Sequence, residues 1–325
     1  MALAGERANV GLGARARTPA IVVVLALLLV GEAAVEALRI GGPSVHRAFD
    51  EWVHDVLFFA AAGLCLARAA KVEAGREAWG FIGLALLAFA IGELSWSILY
   101  STLDPVPFPT ASDAFWLAYF PLVGIGLAFL VHDRIEGFEL HRWIDGVAAA
   151  LIVATPAVAL VFTPVVEHAK QGSTLGRAVE LAYPIGDILV VGAVIGTFAL
   201  TAWRPGRTWL LLGFGLVAFA AVDSVNSVQT IEGIDPHGGY DFVWTAGALI
   251  IAYAAWQPYP PRQPPVHLTG WQEVALPICC QLIAAGIQVF GLFHPIPTSE
   301  RVMSLAVLVL VLIQLWVGRP RSAPS

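Results

Sequence analysis

Trp79-Gly-Phe-Ile-Gly-Leu-Ala-Leu-Leu-Ala-Phe-Ala-Ile-Gly-Glu93 is apolar almost throughout, closes on an acid, and returns as Trp209-Leu-Leu-Leu-Gly-Phe-Gly-Leu-Val-Ala-Phe-Ala-Ala-Val-Asp223. Crossing a hydrocarbon core takes about 20 mainly apolar helical residues, and both copies lie inside runs of that length. At a common offset of 130, Trp79, Gly83, Leu86, Ala88, Phe89, Ala90 and Ser97 recur as Trp209, Gly213, Leu216, Ala218, Phe219, Ala220 and Ser227, and Glu93 becomes Asp223. After a loop two residues shorter, Asp113 and Trp116 pair with Asp241 and Trp244, then Trp143 and Asp145 with Trp271 and Glu273. Chance resemblance between apolar helices supplies alanines and leucines; tryptophans and acids in one register point to an internal duplication.

The rest of the chain agrees with this membrane reading. Of 325 residues, 58% are hydrophobic and 13% charged, with mean hydropathy +0.76. That balance is outside the range of soluble domains. A net charge of -6 offers no basic surface for nucleic acid. The three cysteines, Cys65, Cys279 and Cys280, lie in apolar runs, where cysteine serves as a small hydrophobe rather than as a disulfide framework.

The expected fold is therefore all-α, a polytopic transmembrane bundle of about ten spans, near 20–39, 49–69, 78–101, 112–132, 142–163, 179–201, 208–230, 240–256, 271–293 and 300–318. The first span follows a tail at 1–19, and a second tail occupies 319–325. Spans two to five (49–163) and six to nine (179–293) form two four-helix repeats. An even number of crossings keeps the two copies parallel about an axis along the membrane normal. Thirteen of the 18 Lys and Arg fall on the side of the N-terminus, so the positive-inside rule puts both termini in the bacterial cytoplasm. A cleaved signal peptide is the alternative for the first span; a retained helix fits the even count.

Ionisable groups within spans face a bundle interior or a watery cavity and are functional by default. Glu93, Trp96, Ser97 and Tyr100 share one helical face, and Asp223, Asn226, Ser227 and Thr230 repeat that stripe. A rise of 1.5 Å per residue sets Glu93 and Asp223 roughly 10 Å below the outer ends of their spans, with Asp55 and Asp187 at a similar level. Glu32 and Glu36 lie one turn apart on the first span, His54 adjoins Asp55, and Asp113, Glu180 and Asp241 lie nearer the surface. Capping of a helix start is the competing account of Asp113 and Asp241, and the preferred one for Asp145 and Glu273. It fails for Glu93 and Asp223, which sit toward helix C-termini, where the dipole opposes a negative charge. His46, His168, His237 and His294 join His54 on the outer side, but no HxxxH or CxxC spacing marks a metal centre. GxGxxG, Walker, GxSxG and HExxH motifs are all absent from the sequence, so no cofactor and no enzyme activity is expected.

Pro109-Thr-Ala-Ser-Asp-Ala-Phe-Trp-Leu-Ala-Tyr-Phe-Pro-Leu122, Tyr183-Pro-Ile-Gly-Asp-Ile-Leu189 and Trp203-Arg-Pro-Gly-Arg207 resemble the N-terminal membrane module of actinobacterial proteins that turn over cyclic di-GMP. The resemblance maps onto Pro109, Ser112, Asp113, Trp116, Leu117 and Pro121 in the first copy, and onto Tyr183, Pro184, Asp187, Asp223 and Ser224 in the second. It implies a sensory membrane module ahead of cytoplasmic GGDEF and EAL domains. Neither motif occurs in these 325 residues, so any output is expected to pass through a separate cytoplasmic signalling protein.

The resulting expectation is a sensory module that takes a small ligand or cation from the outer face, in a cavity floored by Glu93 and Asp223. Asp55, Asp187 and Glu36 shape its field, and Asn226, Tyr100, Trp96, Trp116 and Trp244 line it, the aromatics offering cation–π contact. Membrane lipid is the other expected partner, and interfacial belting is an equal account of Trp116 and Trp244. A secondary or proton-coupled carrier, and a membrane scaffold, are the alternatives.

Overall fold

The computed structural model describes residues 3–134, 173–201, 203–232 and 239–259, with isolated positions between 282 and 309. Among these the chain is helical, with no strand: α1 (Leu3–Leu38), α2 (Pro43–Arg47), a π-helical turn (Ala48–Val53), α3 (His54–Lys71), α4 (Arg76–Leu99), α5 (Ala111–Arg134), α6 (Thr174–Leu200), α7 (Arg207–Glu232) and α8 (Phe242–Ala255). The expected spans at 142–163, 271–293 and 300–318 lie outside the described residues or are touched only at isolated positions.

Among the described residues, six segments are long and apolar enough to cross a membrane: Ile21–Leu38, Pro43–Lys71, Arg76–Leu99, Ala111–Arg134, Thr174–Phe198 and Arg207–Thr230. The protein therefore has the helices of a multi-pass membrane protein. Where a full span was expected at 240–256, the structure has a 14-residue helix. At 1.5 Å per residue α8 is about 21 Å long, short of a hydrocarbon core of about 30 Å. Pro258 shortens it, because a proline disfavours helical geometry in the residue before it.

The helices close a ring in which each packs on the next, α3 through α8, and α8 returns to α3. Leu57, Phe58, Ala61, Ala62 and Cys65 of α3 point inward, as do Trp79, Ile82, Leu86 and Phe89 of α4 and Trp209, Leu212, Leu216 and Phe219 of α7. An aromatic cluster fills the centre. Phe89 meets Phe219 edge-on at 5.2 Å, Tyr119 stacks on Phe219 at 5.3 Å, and Phe58 stacks on Phe89 at 4.9 Å. Outside the ring, α1 packs on α3 and α8, and leaves Ile21, Val22, Val23, Leu27 and Val30 exposed as a lipid-facing surface.

Two local features set the ends of the bundle. The π turn carries the chain into α3 with a shifted register, and the two residues just past it, His54 and Asp55, are both buried, at 4% and 3% exposure. At the other end of α3, Gly75 opens α4 with φ +68°, and a Cβ there would lie 2.5 Å from the Tyr259 ring, so glycine alone fits.

Candidate functional site

His54 is the hub of the buried polar layer. Its Nδ1 lies 2.7 Å from Glu32 Oε1, and its Nε2 lies 3.5 Å from Glu93 Oε2, so one imidazole bridges an acid of α1 and an acid of α4. Glu32 is fully buried, and its second oxygen, Oε2, accepts from Thr245 Oγ1 of α8 at 2.8 Å. One turn further along α1, Glu36 Oε2 accepts from the backbone amide of Phe242 at 2.9 Å and so caps the start of α8. Its Oε1 is buried and has no hydrogen-bond partner among the described residues. Helices α1, α3, α4 and α8 thus meet through five side chains and one amide.

A second cluster adjoins the first. Asp223 Oδ1 of α7 accepts from Trp244 Nε1 of α8 at 2.7 Å. Asp187 of α6 faces the same carboxyl, and Glu93 is close enough for its charge to act on Asp223. Asp55 lies beside Glu93 and Ser97, with no hydrogen-bond partner for either carboxylate oxygen among the described residues. No Lys or Arg among the described residues pairs with Glu32, Glu36, Asp55, Glu93, Asp187 or Asp223. In a membrane interior, such carboxylates are held by hydrogen bonds, by the imidazole, by protonation or by a bound cation.

The expected site residues divide between this layer and its surroundings. Glu36, Asp55, Glu93, Asp187 and Asp223 come together. Trp96 packs instead in an aromatic row, 5.9 Å from Trp116 and 6.2 Å from Tyr100, whose hydroxyl accepts from the Ala111 amide at the start of α5. Asn226 is half-buried one turn beyond Asp223. Asp113 accepts from Thr110 N at 2.6 Å and Thr110 Oγ1 at 2.8 Å, as a helix-start acid should, and also from Tyr183 OH of α6 at 2.8 Å. His46 sits 3.7 Å from Asp50 and away from the layer. Asp145, Glu273, His168, His237 and His294 lie outside the described residues.

A cavity of about 540 Å³ is present elsewhere, between α5 and α6, walled by Leu117, Phe120 and Pro121 on one side and Ala182, Ile185 and Leu189 on the other. None of the clustered acids lines it. The acids instead occupy packed positions, with Glu32, Glu36 and Asp223 hydrogen-bonded there, and Trp244 serves as a donor to Asp223 rather than as a bare aromatic wall.

Sequence reasoning passed over the central role of His54 and the anchoring role of Thr245. The signal for His54 was present. Extended back one turn, the inward stripe Phe58, Ala61 and Cys65 falls on position 54. Nothing local marks Thr245, whose partner is 213 residues away. Comparison with protein-family models, with curated proteins and with solved structures yields no match.

Proposed function

We propose that the chain is an integral-membrane sensory module that takes a small ligand or cation from the outer face at its acid–imidazole layer. The observation that carries this reading is the meeting of Glu32, Glu36, His54, Asp55, Glu93, Asp187 and Asp223, from five helices, with no Lys or Arg among the described residues paired to them. Ionisable groups in membrane interiors mark binding sites and relays. A change of charge there acts on the packing of all five helices together, which gives a route to the cytoplasmic ends and a signalling partner. The resemblance of the chain to cyclic di-GMP membrane modules is in keeping with sensing. The membrane is the bacterial cytoplasmic membrane, with both termini inside.

The layer sits at the junction of two halves that we read as parallel repeats. Several contacts support that reading. Phe89 and Phe219, equivalent by the offset of 130, touch at the centre. A Cβ on Gly83 would meet Leu66 of α3 at 2.8 Å, and one on the equivalent Gly213 would meet Phe198 of α6 at 2.9 Å. The neighbour order also repeats, α5 on α6 matching α8 on α3.

Trp244, bonded to Asp223, supplies the readout. Titration of the purified full chain with choline, alkali and alkaline-earth cations and first-row divalent metal ions is expected to give a saturable change in tryptophan fluorescence with at least one of them. That change should disappear in the Glu93→Gln/Asp223→Asn double variant. Absence of any saturable change, or its persistence in the double variant, removes the site. The contiguous His and acid chain also favours a second reading, a proton-coupled carrier; proton flux into dye-loaded proteoliposomes under an imposed potential distinguishes a carrier from a sensor, which binds without flux.

A further inference from the structure

We propose that Glu32, Glu36 and His54 form a site for one divalent transition-metal ion of the zinc class. One ligand atom from each residue lies within 4.8 Å of the other two, and all three side chains are buried. An imidazole with two carboxylates is a donor set of catalytic-type zinc sites, three protein ligands with a fourth position open. Calcium and magnesium prefer six or more oxygens and accept imidazole poorly, which places them second.

The surroundings are built as an outer shell. Each of the three residues is held from behind by an atom other than the one left to a metal. Thr245 Oγ1 donates to Glu32 Oε2 at 2.8 Å, and Phe242 N donates to Glu36 Oε2 at 2.9 Å. Glu93 Oε2, 3.5 Å from His54 Nε2, is the carboxylate placed to receive the imidazole N–H once a metal holds Nδ1. Metal-bound histidines are almost always backed by such an acceptor. This leaves His54 Nδ1 and Glu32 Oε1, only 2.7 Å apart, together with Glu36 Oε1.

Glu36 Oε1 is the second, independent observation. It belongs to a side chain 5% exposed and lacks any hydrogen-bond partner among the described residues. Buried polar atoms in native proteins are satisfied, and an ion between the three donors satisfies this one. The charges also close: a divalent ion offsets the two ligand carboxylates and takes the place of a proton on His54 Nδ1, with Nε2 left facing Glu93.

The inference deepens the function proposed above and rests on its premise that the acid layer takes a cation. It is tested on the full chain in detergent, stripped with chelator and titrated with Co²⁺ and then Zn²⁺. One equivalent of Co²⁺ should give visible absorption bands of four- or five-coordinate geometry, displaced by Zn²⁺. Glu36→Gln and His54→Gln should lower Zn²⁺ affinity at least about 100-fold. Thr245→Val, which leaves the three ligands in place and matches threonine in shape, should lower it about 10- to 100-fold. Arg207→Gln, which removes an exposed guanidinium at the start of α7 that meets Tyr253 OH, should leave it unchanged. The proposal is overturned if the parent chain gives no saturable Co²⁺ spectrum, or if Glu36→Gln and Thr245→Val bind Zn²⁺ as the parent does. Should Zn²⁺ fail to bind while the Asp223→Asn chain loses a fluorescence response to another cation, the metal assignment falls and the sensory reading stands.

Discussion

Arg68 Nε donates to the carbonyl of Ala255 at 2.9 Å, joining the last turn of α3 to the end of α8 across 187 residues of sequence. The same guanidinium donates to Val72 O at 3.1 Å and Ala74 O at 2.9 Å. Carbonyls at helix C-termini have no partner within their own helix, and a cation there also complements the dipole. The acid layer is therefore held at one end of α3 and α8 while Arg68 holds the other.

Replacing that guanidinium should strip three carbonyls of their donor. Arg68→Ala is expected to lower stability by about 1–3 kcal/mol, the cost of leaving a buried group unsatisfied, because the bond to Ala255 O is buried while those to Val72 O and Ala74 O are only partly so. Arg68→Lys should recover only part, because an ammonium lacks the planar fork. Thermal unfolding in detergent checks both, and equal stability of Arg68→Ala and the parent would refute the bracing role.

Trp244 and Asp223 should be energetically coupled. Trp244→Phe removes the 2.7 Å hydrogen bond to the carboxylate, and hydrogen bonds to charged groups contribute about 1.5–3 kcal/mol. A double-mutant cycle with Asp223→Asn should return a coupling of about 1 kcal/mol or more. Additive effects would mean that the indole and the carboxylate do not act as a pair.

Gly92 lets α5 close on α4. A Cβ at this position would lie 2.6 Å from the Trp116 ring, so Gly92→Ala should push the indole aside and destabilise by about 1–3 kcal/mol. Trp116 fluorescence should change with it. Unchanged stability and emission would show that the ring has room to yield.

The staple between α5 and α6 is Tyr183 OH to Asp113 Oδ1, at 2.8 Å. Tyr183→Phe should cost about 1.5–3 kcal/mol and loosen α6 against α5, seen as faster amide exchange in both helices. Exchange that rises only in α6 would argue against a shared contact.

Membrane orientation has its own test. Ser44 and Glu73 lie at opposite ends of the segment that carries α2 and α3 and are both exposed. In whole cells an impermeant maleimide should label Ser44→Cys above the parent background, and Glu73→Cys only after permeabilisation. The reverse pattern would invert the proposed topology.

Much of this architecture was readable in one dimension. An apolar run long enough to span must be helical, because lipid offers no partners for backbone amides and carbonyls. Hence the segment expected at 78–101 appears as Arg76–Leu99, and that at 208–230 as Arg207–Thr230. The acids of the layer were readable too, since a carboxylate inside such a run stands out. Their partners were not. Glu36 was legible as an intramembrane acid, but nothing near it in sequence says that it caps a helix 206 residues later. Asp113 and Asp241 both looked like helix-start acids; Asp113 also binds Tyr183 of another helix.

Composition and spacing thus determine by themselves that the chain forms membrane-length helices bearing acids on matched faces, because hydrophobic length and helical periodicity are local properties of sequence. Tertiary structure alone decides that His54 stands between Glu32 and Glu93, that Thr245 and Phe242 orient two carboxylates, and that Trp244 binds Asp223. The reason is geometric. A hydrogen bond is fixed to within a few tenths of an ångström by how helices far apart in the chain come to pack, and no local pattern encodes that distance.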